Sequence, residues 1–567
     1  MQKKLYLCRL NSVHVCTHVA HNAHFINVIS CHFTTNMKSV IKYLLLVSVV
    51  TMTACSNKRE LNTNVSNTTG WNYYDRKMNY EFQANAGVGN VHPVGMMPIQ
   101  GGTFTVGEKD EFMTAPRNNE TRSLTVTSFY MDKYEVANIN WNEYLHWLDV
   151  VFGAVAPELV QQARPDHTVW REDMAYNEPY EENYFEHPAF SFYPVVGVSW
   201  EQAMAYCQWR TDRVNEMALI RIGELANPAF ADLQPIDDEA AKDEWEQQTG
   251  YQMFSYEETS PEDPEQTITM YRPSYEWIRD KFVFNTDKYL LDETYNPEFG
   301  RRPMRDSYGN DRKVNRNDGI LVANYRLPTE AEWEFAAYAP VAGIDGLTVE
   351  GKIYPWSGYH PRDMSKKNAG LMQANFVRGR GDMMGVSGAL NDGSVITCPV
   401  DEFAPNDFGL YNMSGNVNEW VLDVFRETTF QDATEYNSFR GNIYAKPAKD
   451  ANGKFELDSV GCIRLTWDPE DDKRDVLDGD FASLIETDYP LDTTGIENPK
   501  IDPTDVLAPR VTKKSRVYKG GSWADRIYWL NPSTRRYLDQ DKSSSKIGFR
   551  CAMSTLGDQI PSGLSKY

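Results

Sequence analysis

Arg516-Val-Tyr-Lys-Gly-Gly-Ser-Trp-Ala-Asp-Arg526, followed by Gly548-Phe-Arg-Cys551, decides how the rest of this chain is read. Gly520-Gly521-Ser522 is a tight-turn sequence, since glycine takes backbone angles that other residues resist. Six further blocks precede it in order. They are Met97-Pro-Ile-Gln-Gly-Gly-Thr-Phe-Thr-Val-Gly107, Phe129-Tyr-Met-Asp-Lys-Tyr-Glu-Val-Ala-Asn138 and Pro194-Val-Val-Gly-Val-Ser-Trp-Glu-Gln-Ala203. Then come Tyr325-Arg-Leu-Pro-Thr-Glu-Ala-Glu-Trp-Glu334, Tyr354-Pro-Trp356 and Gly409-Leu-Tyr-Asn-Met-Ser-Gly-Asn-Val-Asn-Glu-Trp420.

Working outward, helices come first. Asn140-Trp-Asn-Glu143 reads as a capping-box-like start, with Trp141, Tyr144, Leu145 and Leu148 at helical spacing behind it. Ser199-Trp-Glu-Gln202 repeats the logic, placing Trp200, Ala203, Met204 and Cys207 on one face. Thr329-Glu-Ala-Glu332 opens a third helix just after Pro328. Such aromatic stripes are expected to be core rather than a cofactor box. Between the helices the chain is rich in Gly, Asn and Pro and poor in long alternating strands. That predicts an α+β domain with much irregular structure.

The seven ordered blocks resemble the formylglycine-generating enzyme (sulfatase-modifying factor) family, over roughly half the chain. The resemblance implies that family's C-type-lectin-like fold over residues 96–555, with a tail at 556–567. In the family, two cysteines after Gly-Gly-Ser bind copper and oxidise a substrate cysteine. Here those positions are Asp525 and Leu530. A copper(I) site needs soft thiolates, so a pseudoenzyme without copper is expected. The tryptophan that lines the family's oxygen pocket is Asn418 here, while Ser522 is kept. Iron-dependent relatives use a histidine triad. His92, His146, His167, His187 and His360 form no H-x3-H pattern, and no G-x-S-x-G, P-loop or H-E-x-x-H occurs.

Calcium is the cofactor that the resemblance implies. The first ligand set would be the Asn412 and Glu419 side chains with the Gly415 and Val417 carbonyls. The second would be the Asn375 and Asp392 side chains with the Phe376 and Ser394 carbonyls. Oxygen ligands of these kinds suit a hard cation. The alternative is that Asn and Gly serve turns and Glu419 pairs with an arginine. The resemblance also implies a disulfide between Cys207 and Cys551, against four buried free thiols. Cys398 and Cys462 are a further pair that spacing does not resolve.

Met37-Lys-Ser-Val-Ile-Lys42 and the apolar Tyr43–Ala54 run read as a secretory signal ending at Cys55. Cleavage and lipidation at Cys55 are expected, with an ordinary signal peptide or a membrane anchor as the alternatives. The apolar run is short for a span, which needs about 20 residues. Residues 1–36 hold Cys8, Cys16, Cys31 and five of the ten histidines. We take them as an upstream extension, with Met37 as the true start. Residues 55–95 read as a tether.

The chain carries a net charge of −23, and the residues after 54 are near −28, because residues 1–54 hold five basic and no acidic side chains. That acidity argues against nucleic acid as a partner and against docking on anionic lipid. With 41% hydrophobic residues the chain builds a core. Export makes disulfides reasonable. Two insertions are expected, at 216–322 and 427–514. Residues 223–300 hold 19 acidic and 5 basic side chains, interleaved with Trp245, Tyr251, Phe254, Tyr256, Tyr271, Tyr275 and Trp277. Exposed aromatics tend to mark contacts. In the second insertion, Trp467-Asp-Pro-Glu-Asp-Asp-Lys-Arg reads as a surface loop.

Leader, degenerate cassette and insertions together resemble the ring lipoprotein of the type IX secretion and gliding apparatus, the PorK/GldK type. That resemblance implies a non-catalytic outer-membrane lipoprotein facing the periplasm, self-associating in a ring with a PorN/GldN-type periplasmic partner. Lys58-Arg-Glu60 after Cys55 lacks the acidic run of surface-directed lipoproteins, in keeping with that side of the membrane. Two other classes stay open: an active oxidase of the formylglycine-generating kind, and a glycan- or peptide-binding lipoprotein.

Overall fold

A computed structural model describes residues 65–72 (except 67) and most of 93–555; the longest stretches outside the description are 109–117, 341–351, 378–393, 427–444 and 468–510. The chain divides into residues 1–85 and 86–567. In the first unit the described residues form one turn, with Gly70 N donating to the Ser66 carbonyl at 2.8 Å. Cys55 and the signal region lie outside the described residues.

The second unit opens with strands β1 (Met96–Ile99), β2 (Gly102–Val106), β3 (Arg122–Val126) and β4 (Phe129–Asp132). Helix α1 (Asn138–Phe152) follows. It begins two residues before the expected Asn140, and its N-cap is Ala137. Asn140 stands at the third helical position and reaches back to Ala137 N at 3.3 Å. Its side chain therefore supplies the returning half of a capping box rather than the cap itself. Trp141, Tyr144, Leu145 and Leu148 are buried as expected.

Short helices α2 (Pro157–Ala163) and α3 (Glu178–Asn183) lead to α4 (Trp200–Ile222). Ser199 and Gln202 cap α4 reciprocally, at 3.2 and 2.9 Å. Gly223 ends it at φ 84°, where other residues are strained. Trp141 stacks on Tyr206 of α4, with ring centroids 5.3 Å apart.

The expected first insertion builds its own small core on the end of α4. It holds α5 (Glu239–Thr249), the hairpin β5 (Met253–Thr259) and β6 (Thr267–Pro273), and α6 (Tyr275–Trp277), which runs into a π-helical turn, Ile278–Phe282. Helix α7 (Thr286–Leu291) and the short pair β7 (Met304–Arg305) and β8 (Asp311–Arg312) complete it. Leu219 of α4 packs with Leu225, Phe284, Tyr289, Tyr295, Val314 and Leu321.

The aromatics here differ from the contact surface that the sequence suggested. Trp245 meets Trp277 edge-on at 5.2 Å. Tyr256 lies under Arg272 and Tyr271 beside Lys242. Of the seven, Phe254 is the strongly exposed one, at 64%. A hairpin with few apolar neighbours satisfies its rings internally, by stacking and cation–π contact.

The chain then returns to the core through β9 (Tyr325–Arg326) and α8 (Glu330–Tyr338), which Thr329 and Glu332 cap as expected. Strand β10 (Asn418–Val424) follows. Strands β11 (Ala445–Pro447) and β12 (Leu465–Trp467) belong to the second insertion; residues 468–474 of its expected surface loop lie outside the described residues. Last come β13 (Ser515–Lys519), β14 (Arg536–Asp539), β15 (Ile547–Gly548) and β16 (Ala552–Ser554).

Two four-stranded sheets hold the fold, in the orders β1-β4-β16-β9 and β14-β13-β10-β15. The segment 515–554, which contains the closing cassette, supplies three strands of the second sheet and an inner strand of the first. One short sequence thus ties both sheets together. Two buried indole N–H groups find backbone carbonyls, Trp141 with Ala163 at 3.1 Å and Trp420 with Val198 at 3.1 Å.

Candidate functional site

The site is built around β10. Successive strand residues point to opposite faces of a sheet, so Asn418 and Glu419 serve different surroundings.

On the Glu419 side, Arg550 grips the carboxylate from Nη2 at 2.6 Å and Nε at 2.7 Å. Trp333 Nε1 of α8 adds a third donor at 2.7 Å. Both charged side chains are fully buried. Burial alone would lower the Arg550 guanidinium, but Glu419 holds it above its usual range.

The turn before β10 is drawn tight. Asn412, Gly415 and Asn416 all have positive φ, and a Cβ at Gly415 would lie 2.5 Å from the Asn375 carbonyl. The Asn412 and Asn416 amides donate to Glu135 at 3.0 and 2.9 Å. Burial, then the charge of Glu419, raises Glu135 to about 8. Glu135 sits in a block whose resemblance was plain, yet nothing in its sequence context marked it as part of this turn.

This turn brings together the residues of the first expected calcium set. Glu419 has the arginine partner that the sequence left open, Arg550. The turn also brings in Glu135, held by the Asn412 and Asn416 amides and felt by Arg550 only through its charge. Oxygen donors of this kind are those a hard cation takes, but here Arg550 and Trp333 take up the Glu419 carboxylate and the Asn412 and Asn416 amides turn to Glu135.

The second set lies alongside. Asn416 N donates to the Asn375 carbonyl at 2.9 Å, and Asn375 Nδ2 donates to the Ile396 carbonyl at 2.8 Å. Phe376 is buried and Ser394 half-buried, while Asp392 lies outside the described residues.

On the Asn418 side stand the positions where the resemblance places two thiolates. Arg536 of β14 binds Asp525 with two hydrogen bonds, Nη1 to Oδ1 at 2.8 Å and Nη2 to Oδ2 at 2.7 Å. Ser522 gives its N–H at 2.9 Å and its Oγ–H at 2.7 Å to the same carboxylate, and Asn418 Nδ2 adds a contact at 3.2 Å. Arg536 also donates to Asn418 Oδ1. Burial would raise the Asp525 carboxyl, but the Arg536 guanidinium, with Ser522 and Asn418, holds it below the usual carboxylate range.

Arg536 is itself sandwiched against Tyr518 and Trp529. Leu530 faces elsewhere, fully buried among Tyr354, Met372, Ala374 and Phe376. The two positions therefore hold a neutralised ion pair and an apolar plug. Neither offers a soft donor, and a guanidinium occupies the carboxylate that would otherwise face a metal. Arg536 was not singled out in the sequence, where it is one of two adjacent arginines.

The Gly-Gly-Ser turn explains its own composition. Gly520 and Gly521 have φ of 101° and 71°. A Cβ would meet the Trp333 ring at 3.1 Å and the Trp529 carbonyl at 2.8 Å.

Cys207 of α4 and Cys551, just before β16, are both buried, with their sulfurs 3.5 Å apart as thiols. Asp132 sits beside them, bound by Arg210 at 2.6 Å and by Cys551 N–H at 3.1 Å. Cys398 lies against Asn416 and Cys462 against Asn285.

The model of the sulfatase-modifying factor enzyme 1-like domain matches residues 84–555. The formylglycine-generating enzyme of Mus musculus is 36% identical over 154 residues, covering 27% of this chain and 36% of that protein. That of Thermomonospora curvata is 40% identical over 115 residues, covering 19% and 32%. An inactive C-alpha-formylglycine-generating enzyme 2 of Bos taurus is 36% identical over 102 residues, covering 18% and 27%. The matched regions thus span about a third of these relatives' length. With an α+β fold, a cassette that ties both sheets and a family match over most of its length, the chain belongs to the sulfatase-modifying factor (formylglycine-generating enzyme-like) family, which has inactive members among the relatives it matches.

Proposed function

We propose that this protein is a non-catalytic member of its family. In this reading it is an outer-membrane lipoprotein facing the periplasm. It builds a ring of the type IX secretion and gliding machinery with a PorN/GldN-type soluble partner. The observation that carries the non-catalytic part is the Asp525–Arg536 ion pair, closed by Ser522 and Asn418, beside a buried Leu530. A site that oxidises a thiol through copper needs thiolate ligands and room for the substrate sulfur. Here oxygen and guanidinium groups are satisfied by one another.

The supporting roles follow. Cys55 is the lipidated residue, and its lipid holds the protein to the membrane. Calcium is structural, held by the turn that contains Asn412, Gly415, Val417 and Glu419, and by Asn375, Phe376, Asp392 and Ser394. Cys207 and Cys551 form a disulfide. The acidic first insertion meets a basic partner surface, where charge sets on-rate and specificity.

Two measurements test this. Gently solubilised outer membranes should yield the protein in a megadalton particle with a stoichiometric protein partner. Recovery as a free monomer, or with a glycan in place of a protein, counts against ring assembly. Copper-loaded protein should leave the cysteine of a sulfatase-motif peptide unchanged. Conversion above a metal-only control overturns the non-catalytic reading.

A further inference from the structure

The described part of the second insertion contains two sister turns, Asp450-Ala-Asn-Gly453 and Asp458-Ser-Val-Gly461. In each, the aspartate Oδ1 accepts two backbone N–H groups. Asp450 takes those of Asn452 and Lys454, at 2.8 and 2.9 Å. Asp458 takes those of Val460 and Cys462, at 3.0 and 2.8 Å. Each turn ends on a glycine in the left-handed region, φ 81° at Gly453 and 94° at Gly461.

Their surroundings differ. A Cβ at Gly453 would meet nothing within 4 Å, whereas one at Gly461 would lie 2.8 Å from the Arg279 carbonyl. The second turn is seated in the first insertion. Tyr275 Oη donates to the Ser459 carbonyl at 2.5 Å. Asn285 Nδ2 contacts Cys462 Sγ at 3.2 Å and the α4 residue Asp212 at 3.0 Å. Asp212 in turn accepts Thr286 N–H at the start of α7, at 2.8 Å. Val460 packs on the cluster that holds Tyr144 and Leu148. Three parts of the chain, far apart in sequence, thus converge: α4, residues 275–286 and residues 459–462.

We propose that the turn 458–462 is a clasp that fixes the first insertion against α4, so that the two insertions open and close as one unit. The clasp sets how the first insertion is presented, whatever that insertion binds. The two sister turns carry the same sequence device and put it to different use. One is a free hairpin end. The other needs glycine twice over, for its backbone angle and for its approach to Arg279.

Cys462 reports on the clasp directly. Cys462 is half-buried, and its partial desolvation, with Asp458 and Asp212 nearby, pushes its thiol well above the usual range, so a seated Cys462 reacts slowly. The test uses the full chain. Native-state alkylation of Cys462 is followed by peptide mass mapping, alongside hydrogen exchange of residues 275–291. Gly461→Ala and Gly453→Ala impose a similar backbone penalty, and only the first meets Arg279. The expected result is about tenfold faster labelling in Gly461→Ala than in Gly453→Ala, as local opening becomes easier. Exchange at 275–291 rises in step. Tyr275→Phe, which removes one hydrogen bond, raises labelling about threefold. Equal labelling in the two glycine variants overturns the proposal. So does faster labelling without faster exchange, because the turn then opens alone. If Gly461→Ala does not fold, an unchanged Cys462 in Tyr275→Phe overturns it.

Discussion

Asn418 and Glu419 are neighbours on one strand, yet they stand in opposite situations. Glu419 is locked by Arg550 and Trp333 in full burial, and the lock joins β10, α8 and the closing cassette. Asn418 faces a second carboxylate–guanidinium pair, Asp525 with Arg536, whose side chains keep 13% and 20% exposure. The first pair is made of groups the family resemblance anticipates. The second stands where that resemblance places a thiolate. A sheet separates its faces physically, since a change on one side leaves the other side's packing in place. Groups on one face can therefore change while the fold is kept.

The comparison breaks if the two pairs prove energetically alike. Removing one partner of a buried ion pair strands the other in low dielectric and costs about 3–5 kcal/mol. Arg550→Met should therefore lower unfolding stability in urea by about that amount. A loss below about 1 kcal/mol, the scale of a surface pair, sinks the claim that this side carries the fold.

Two intermediate effects sharpen the same side. A Cys207–Cys551 bond would close a loop of more than 300 residues, and its reduction should cost roughly 2–5 kcal/mol in the chain-entropy model. Peptide mapping without reduction checks the link, and two labelled thiols in unfolded, unreduced protein rule it out. Calcium held by the turn before β10 should stabilise by about 2.7 kcal/mol at a hundred times its dissociation constant. A chelator should then lower the melting temperature, and added calcium should restore it. No shift in either direction removes calcium from the account.

What was legible in the sequence follows the same division. The core was readable because its signals are local: Ser199 with Gln202, Thr329 with Glu332, and the helical spacing behind Trp141. Cys207 and Cys551 were paired through family resemblance, and the fold does bring their sulfurs to 3.5 Å. Glu135 and Arg536 were not found, because their roles arise from contacts with Asn412 and Asp525, 277 and 11 residues away. Nothing in the local pattern distinguishes them from other charged residues. The placement of the aromatics in the first insertion was not legible, for a related reason. Composition shows that rings are present, but only the fold shows that Trp245 meets Trp277. The clasp rested on a glycine whose neighbour, Arg279, comes from the other insertion.

The smallest effect is the most specific, and it concerns the Asn418 side. Asp525→Asn keeps the shape and removes the charge that Arg536 binds. The pair is largely but not wholly buried, so the loss should be about 1–2 kcal/mol at neutral pH. Its pH dependence has a fixed sign. The Asp525 carboxyl is held below its usual value in the folded protein by Arg536, Ser522 and Asn418, against the opposing effect of burial. A lowered folded value means that the unfolded chain binds the proton first as pH falls. The stabilisation is then complete above the unfolded value of about 3.9 and is lost as pH drops through the lower folded value. The gap between wild type and Asp525→Asn should be widest from about pH 5 upward and shrink below about pH 4. Urea unfolding of both proteins across that range measures the gap. A gap that grows on acidification would mean that Asp525 is held protonated, and its ion pair with Arg536 would not exist in solution.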